Sequence, residues 1–245
     1  MKRFEADLKG VTFFSNNYRL IGGFYTAAGD TPRPTAILLH GLPGIEKHLD
    51  IAYSIRDLGW NCLYFHFRGC WGSQGDYSLN GLADDTKAAI DWIEMQECVD
   101  KDKIVLIAGS TGSHPALVQG MNDTRIKAIA GISPVIEPGA FKFPLEMADN
   151  FAKMLSGITG EQIVQQWNKL HSLKNSIQKF SPRPILLIAA GNDDIFPLSD
   201  YSEMIKEFSY LDIIERKDTD HGFSNCRTWL VQTVTSWLLA KEIHF

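Results

Sequence analysis

Residues 104–112 read I-V-L-I-A-G-S-T-G, an apolar, β-branched run that ends in a small-residue turn centred on Ser110. A serine held on so sharp a strand-to-helix turn needs Gly or Ala two residues before and after it, and those places hold Ala108 and Gly112. The stretch that follows, S-H-P-A-L-V-Q-G-M, is helix-compatible, and Pro115 suits a first helical turn because its missing N–H would have no intrahelical partner there. A serine hydroxyl is too weakly acidic to attack a carbonyl unaided. It needs a histidine base, itself oriented by a carboxylate.

Both partners have places further along the chain, acid before histidine. The run P-I-L-L-I-A-A-G-N-D-D-I-F-P supplies a buried strand, a turn at Gly191, and then Asp193 and Asp194 at the strand's C-terminal end, where sites in open α/β sheets lie. Asp194 is the chosen acid; Asp193 competes with it but has a second use, bonding the backbone of the turn. The polar turn K-D-T-D-H-G-F puts His221 just before the last amphipathic helix, in the order Ser, Asp, His. Asp220, beside His221, points elsewhere if its neighbour enters the site. G-N-D-D is also a good turn and D-H-G a good helix cap, so the argument rests on their joint order at strand ends.

A fourth element, T-A-I-L-L-H-G-L-P-G, is a strand followed by a glycine-containing turn. The backbone N–H groups of Leu42 and Thr111 would form an oxyanion hole, each stabilising a tetrahedral intermediate by roughly 3 kcal/mol. His40 is expected to shape that turn and His114 to be structural. His48, His66, His171 and His244 stand in no motif.

The elements that must carry these residues follow from an alternation of short apolar runs with amphipathic segments, the pattern of a parallel sheet with crossover helices. After two antiparallel strands at 4–8 and 18–26, the strands are predicted at 35–40, 61–67, 103–109, 126–132, 185–190 and 211–215. The segment 82–97 puts Leu82, Ala89, Ile90 and Ile93 on one helical stripe with acids opposite, and a last helix is predicted over 226–239. Between Pro134 and Pro184 the alternation lapses, and a structureless loop of that length would be improbable. The segment 135–183 therefore reads as a helical cap inserted into a single domain, with helices near 145–155 and 161–180. Its Phe141, Phe143, Met147, Phe151, Met154 and Trp167 are candidates for an apolar acyl pocket.

With 245 residues, 44% of them hydrophobic and 22% charged, the composition is that of an ordinary globular protein. A net charge of −5 without a Lys/Arg cluster gives no footprint for nucleic acid or an anionic membrane. Neither an apolar N-terminal segment nor a membrane span is present in the sequence, so the expectation is a cytoplasmic protein. Cys62, Cys70, Cys98 and Cys226 lack metal or redox spacing, so neither a zinc site nor a disulfide framework is implied.

Taken together, H-G-L-P-G at 40–44, F-R-G-C-W-G-S-Q-G at 67–75, A-G-S-T-G at 108–112, G-N-D-D at 191–194 and D-H-G-F at 220–223 resemble the α/β-hydrolase superfamily across essentially the whole chain. The resemblance implies an α/β fold with an eight-stranded, mostly parallel sheet, Ser110, Asp194 and His221 as a triad, and a structural role for the stretch around Arg68. Ala108 replaces the usual first glycine, and Ser113 stands where many relatives have a second glycine, adding bulk and a hydroxyl behind the turn. Small bacterial-type esterases and acyl-peptidase-like hydrolases without a propeller are the most similar. The expected activity is a cofactor-free and metal-free serine hydrolase, a monomer or homodimer, acting on a small acyl ester or thioester through an acyl-enzyme. A peptidase or amidase on short acylated peptides, and a non-catalytic ligand-binding protein on the same fold, are the alternatives.

Overall fold

The computed structural model describes residues 3–206 and 208–241, with the side chains of residues 205 and 206 also left aside. Among them are eight strands: β1 (Asp7–Ser15), β2 (Tyr18–Thr26), β3 (Arg33–Leu39), β4 (Asn61–Phe65), β5 (Val99–Gly109), β6 (Ile126–Ile132), β7 (Ile185–Ala190) and β8 (Leu211–Arg216). They form one sheet in the order β1-β2-β4-β3-β5-β6-β7-β8. The β1–β2 and β2–β4 pairs are antiparallel and the remaining five are parallel. Strands 126–132 and 185–190 coincide with their predicted bounds.

The first strand departs from expectation, spanning residues 7–15 rather than 4–8. Asn16 takes a positive φ in a two-residue turn that pairs Ser15 with Tyr18, and this turn fixes the register back through V-T-F-F. Phe4 keeps only an isolated bridge to Gly29.

Because both faces of the parallel strands are covered, alternate residues of one run feed two cores. Ile37 and Leu39 of β3 join Ile104, Leu106 and Leu187 on one face. Ala36, Leu38, Val105, Ile107 and Ile188 join the other. The first face is covered by α2 (Leu82–Glu94), whose Leu82, Ala89, Ile90 and Ile93 are buried as the stripe predicts, and by α3 (Ser113–Asn122). The second is covered by α1 (Leu49–Asp57) and α6 (Arg227–Ala240).

Between β6 and β7 lie α4 (Leu145–Ala152) and α5 (Gly160–Trp167), whose buried Ala148, Ile163 and Trp167 extend the first core. The start of α5 is written locally: the Thr159 hydroxyl accepts from Gln162 N–H while the Gln162 side chain accepts from Thr159 N–H. The helix expected over 161–180 stops after Trp167, because the chain turns back to the sheet end and Leu173 N–H bonds Ile136 O at 2.9 Å. No helix among the described residues is long and apolar enough to cross a membrane.

The stretch at 67–75 is fastened to α2 by a buried ion pair. Arg68 reaches Asp85 through Nη2 at 2.7 Å and Nε at 3.0 Å, and its backbone N–H takes the other carboxylate oxygen at 2.9 Å. Removing one partner of such a pair leaves an uncompensated buried charge. Asp85→Ala is therefore expected to lower the unfolding free energy by about 3–5 kcal/mol in urea titrations. Asp84→Ala, at an exposed carboxylate 4.0 Å from Arg68, is expected to cost less than about 1 kcal/mol.

Candidate active site

Strand β5 ends at Gly109, and Ser110 follows with φ of 50°. A non-glycine residue in that region costs of order 1–3 kcal/mol and persists only where its surroundings enforce it. Two groups do so here. Gly112 lies so close beneath the end of β3 that a Cβ on it would sit 2.6 Å from Leu39 O and 2.5 Å from His40 O. The buried Ser113 hydroxyl donates to Ser110 O at 2.6 Å and accepts from Val135 N–H at 2.7 Å. The hydroxyl that departs from the family pattern thus ties the turn to the loop after β6.

Ser110 Oγ lies 3.0 Å from His221 Nε2, and His221 Nδ1 lies 2.7 Å from Asp193 Oδ2. The carboxylate that meets His221 is therefore Asp193 and not the expected Asp194, whose side chain is exposed. Bonding the turn and bonding the histidine do not compete, because a carboxylate has two oxygens. Asp193 Oδ1 accepts from Ile195 N–H and Phe196 N–H, both at 2.9 Å, which leaves Oδ2 aimed at the imidazole. Burial alone would raise the Asp193 pKa, but its bond to and the charge of His221, with the two backbone donors, outweigh burial and hold it below the usual 3.8. Asp220 turns away and accepts from Ser224 N–H at 2.8 Å. Ser133, at the end of β6 with φ of 44°, donates to His221 O at 2.9 Å, a support that carries no sequence signature.

The opposite wall is the turn after β3. Buried His40 accepts from Phe67 N–H at Nε2 (3.2 Å), so its proton lies on Nδ1 and is donated to Gly41 O at 2.7 Å. In the trans Gly41–Leu42 peptide the N–H points opposite the C=O, so holding Gly41 O aims Leu42 N–H at the serine turn. There it donates to Thr111 Oγ1 at 2.6 Å. Trp71 Nε1 donates to Pro43 O at 2.9 Å, so the loop that Arg68 anchors also holds this turn. Burial lowers the His40 pKa to about 4, keeping it neutral and out of proton transfer near pH 7. His114 Nε2 contacts His171 O at 3.2 Å, a structural position as expected. His244 lies outside the described residues.

Beside Ser110 the inserted segment encloses a cavity of about 80 Å³, lined by Phe141, Phe143, Met147 and Phe151 together with Leu42, Thr111, Ile195 and Phe196. Trp167 is not on its wall. The indole is buried behind it, stacked 5.8 Å from Phe196 and donating to Phe141 O at 3.0 Å. Met154, 37% exposed, does not line the cavity. Ile195 and Phe196 line it as well, and the signal for them is that I-F-P directly follows the Asp193–Asp194 pair.

Glu46, His48 and Asp50 bring three metal-type donor atoms within 4.8 Å of one another. A cation is already among them: the Arg227 guanidinium donates to Asp50 at 2.7 and 2.8 Å and to His48 Nδ1 at 3.2 Å.

A model of the alpha/beta hydrolase fold matches residues 34–162, more than half of the sequence. The chain belongs to that family. It is 26% identical over 209 residues to the protein YfhR of Salmonella typhimurium, covering 81% of this chain and 69% of YfhR. It is also 26% identical over 130 residues to the quorum-quenching protein AidA of Acinetobacter baumannii, 51% of this chain and 43% of that one. Among solved structures, an esterase of Pyrococcus furiosus superposes with a TM-score of 0.74 at 20% identity, over 96% of this chain and 91% of the other.

Two outcomes test this local architecture. Ser113→Ala strands the buried Val135 N–H and is expected to cost about 1–3 kcal/mol by chemical denaturation. His40, His48 and His66 all have pKa values lowered by burial to about 4. Between there and the unfolded value near 6.5 the unfolded chain binds more protons, so stability must rise with pH through that window. Unfolding free energies measured from pH 7 down to pH 4.5 should fall; a flat profile would contradict the buried neutral imidazoles.

Proposed function

We propose that the protein is a serine hydrolase that cleaves carboxylic esters, or thioesters, of small to medium acyl groups through an acyl-enzyme. The observation that carries this reading is the unbroken chain from Ser110 Oγ through His221 to the buried Asp193 carboxylate, at 3.0 and 2.7 Å.

In this reading His221 Nε2 takes the Ser110 proton as Oγ attacks the acyl carbonyl. Asp193 holds the Nδ1–H tautomer and stabilises the imidazolium, and the same Nε2–H then protonates the leaving oxygen. Water repeats the sequence on the acyl-serine. Leu42 N–H, aimed by His40 and held at rest by the Thr111 hydroxyl, shifts with Thr111 N–H onto the developing oxyanion. The aromatic cavity of about 80 Å³ has room for an acyl chain of a few carbons. An esterase among the structural neighbours and a quorum-quenching protein among the relatives support this class without choosing a substrate.

The test is a fluorophosphonate probe followed by peptide mass spectrometry and ester kinetics. Labelling confined to Ser110 and abolished in Ser110→Ala is the expected result. Asp193→Asn should lower kcat by about 10³–10⁴ because the wrong tautomer is held, whereas Asp194→Asn should stay within about threefold. A folded wild-type protein that takes no label would instead favour a binding role on the hydrolase fold.

A further inference from the structure

A second cavity, of about 250 Å³, opens on the other side of Ser110 and His221, between the turn at 41–46 and Ile132. Its walls are apolar at Pro43, Ile45 and Ile132, and it holds one buried polar side chain, His48, which is 5% exposed.

The protonation of His48 follows from its neighbours. Arg227 Nη2 lies 3.2 Å from His48 Nδ1, and a guanidinium has no lone pair to offer, so Nδ1 is the acceptor and the ring proton is on Nε2. Burial lowers its pKa to about 4, so the ring is neutral near pH 7. Nε2 is the atom that abuts the serine turn, occupying the space where a side chain on Gly109 would project; any Cβ there would overlap it. Gly109 thus has no side chain of its own to offer beside the nucleophile, and an imidazole N–H from 61 positions earlier stands in that place. Among the described residues no protein acceptor bonds that N–H.

The geometry points to His48 as a substrate-binding residue whose Nε2–H recognises a neutral hydrogen-bond acceptor, a carbonyl or ether oxygen, in the alcohol half of the ester. This rests on the ester-hydrolase reading and extends it to the leaving group. Two further features fit. The alcohol-side cavity is the larger, about 250 Å³ against about 80 Å³ under the aromatic cluster, so the polar half of the substrate is the bulkier one. Among the described residues on its wall Glu46 is the one carboxylate and no Lys or Arg joins it, a negative charge that opposes a carboxylate-bearing alcohol. Arg227 also donates to Gly222 O at 3.2 Å, beside His221, so the ring that reads the substrate and the loop that carries the base are held by one side chain.

The experiment compares isosteric pairs: 2-methoxyethyl against n-butyl propionate, and 3-methoxypropyl against n-pentyl propionate, by pH-stat kinetics. The readout is the ratio of kcat/KM within a pair, which is insensitive to the amount of active enzyme. A buried donor left without a partner penalises the all-carbon ester, so the wild-type ratio should favour the ether in at least one pair by about tenfold. His48→Leu should bring that ratio to near one, and His48→Gln, which keeps an N–H donor, should retain most of it. Fluorophosphonate labelling of Ser110 in each variant reports that the catalytic arrangement is intact. Labelled variants with the wild-type ratio, or a wild type indifferent to the ether oxygen in both pairs, would overturn the assignment of His48 and leave the hydrolase reading standing. A wild type that hydrolyses none of the four esters overturns the inference outright, and its Ser110 labelling then decides separately whether the hydrolase reading survives.

Discussion

The close approach of the β3 and β5 ends is the constraint on which the rest of the site depends. Ser110 adopts its left-handed backbone because the chain must leave β5 and enter α3 directly beneath the carbonyls of Leu39 and His40. Only a glycine at 112 fits under them. The strain is held locally by the Ser113 hydroxyl and globally by parallel pairing, in which Leu39 sits opposite Ala108. Small side chains there are what close packing requires; Ala108 is fully buried and satisfies the same need as the glycine usual in relatives. The strained turn presents Oγ at the sheet's C-terminal edge, and the loops after β3, β6, β7 and β8 converge on that edge because all four strands run the same way.

Convergence alone would not give the loops fixed shapes, and each has its own restraint. The turn after β3 is held by Phe67 N–H on His40 and by Trp71 on Pro43 O, both from the 67–75 segment that the Arg68–Asp85 pair pins to α2. The loop after β7 is shaped by Asp193, one oxygen of which closes the turn while the other orients His221. The loop after β8 is held by Ser133 from below and by Arg227 from α6. Polar groups are costly to bury without partners, and the buried His40, Asp85, Ser113, Ser133 and Asp193 place theirs on loops that bear site residues. His66 Nδ1 is an exception, a buried atom without a bond in this arrangement.

The legibility of this site in the sequence follows the range over which its determinants act. Ser110 with Ala108 and Gly112, and the stripe of α2, are set by neighbours a few residues apart, and spacing reveals them. So are the strands that bury both faces, which read as continuous apolar runs. The choice between Asp193 and Asp194 is of another kind. The loop has no periodicity, adjacent side chains diverge, and the turn-bonding role of Asp193 occupies only half of its carboxylate. The first strand was displaced because its register comes from the Asn16 turn rather than from its own weak pattern. Trp167, grouped by composition with the cavity-lining aromatics, lies one layer behind them because its N–H needs the carbonyls of Pro138 and Phe141.

His48 shows where local reading ends. It stands in no motif of its own; its position depends on Arg227, 179 residues away, and its space on the missing side chain of Gly109. The same physics nevertheless links them. A guanidinium that neutralises Asp50 must place its remaining donor somewhere, and on His48 Nδ1 that donor fixes a tautomer whose proton faces the nucleophile turn. An exposed imidazole would rotate and titrate through neutral pH. Buried and bonded on one side, it becomes a one-directional donor of constant charge, which is what discrimination between two neutral substrates requires. The cavities on either side of Ser110 therefore differ in kind as well as in volume: the aromatic one can select only by size, whereas the other can select by the position of a single oxygen.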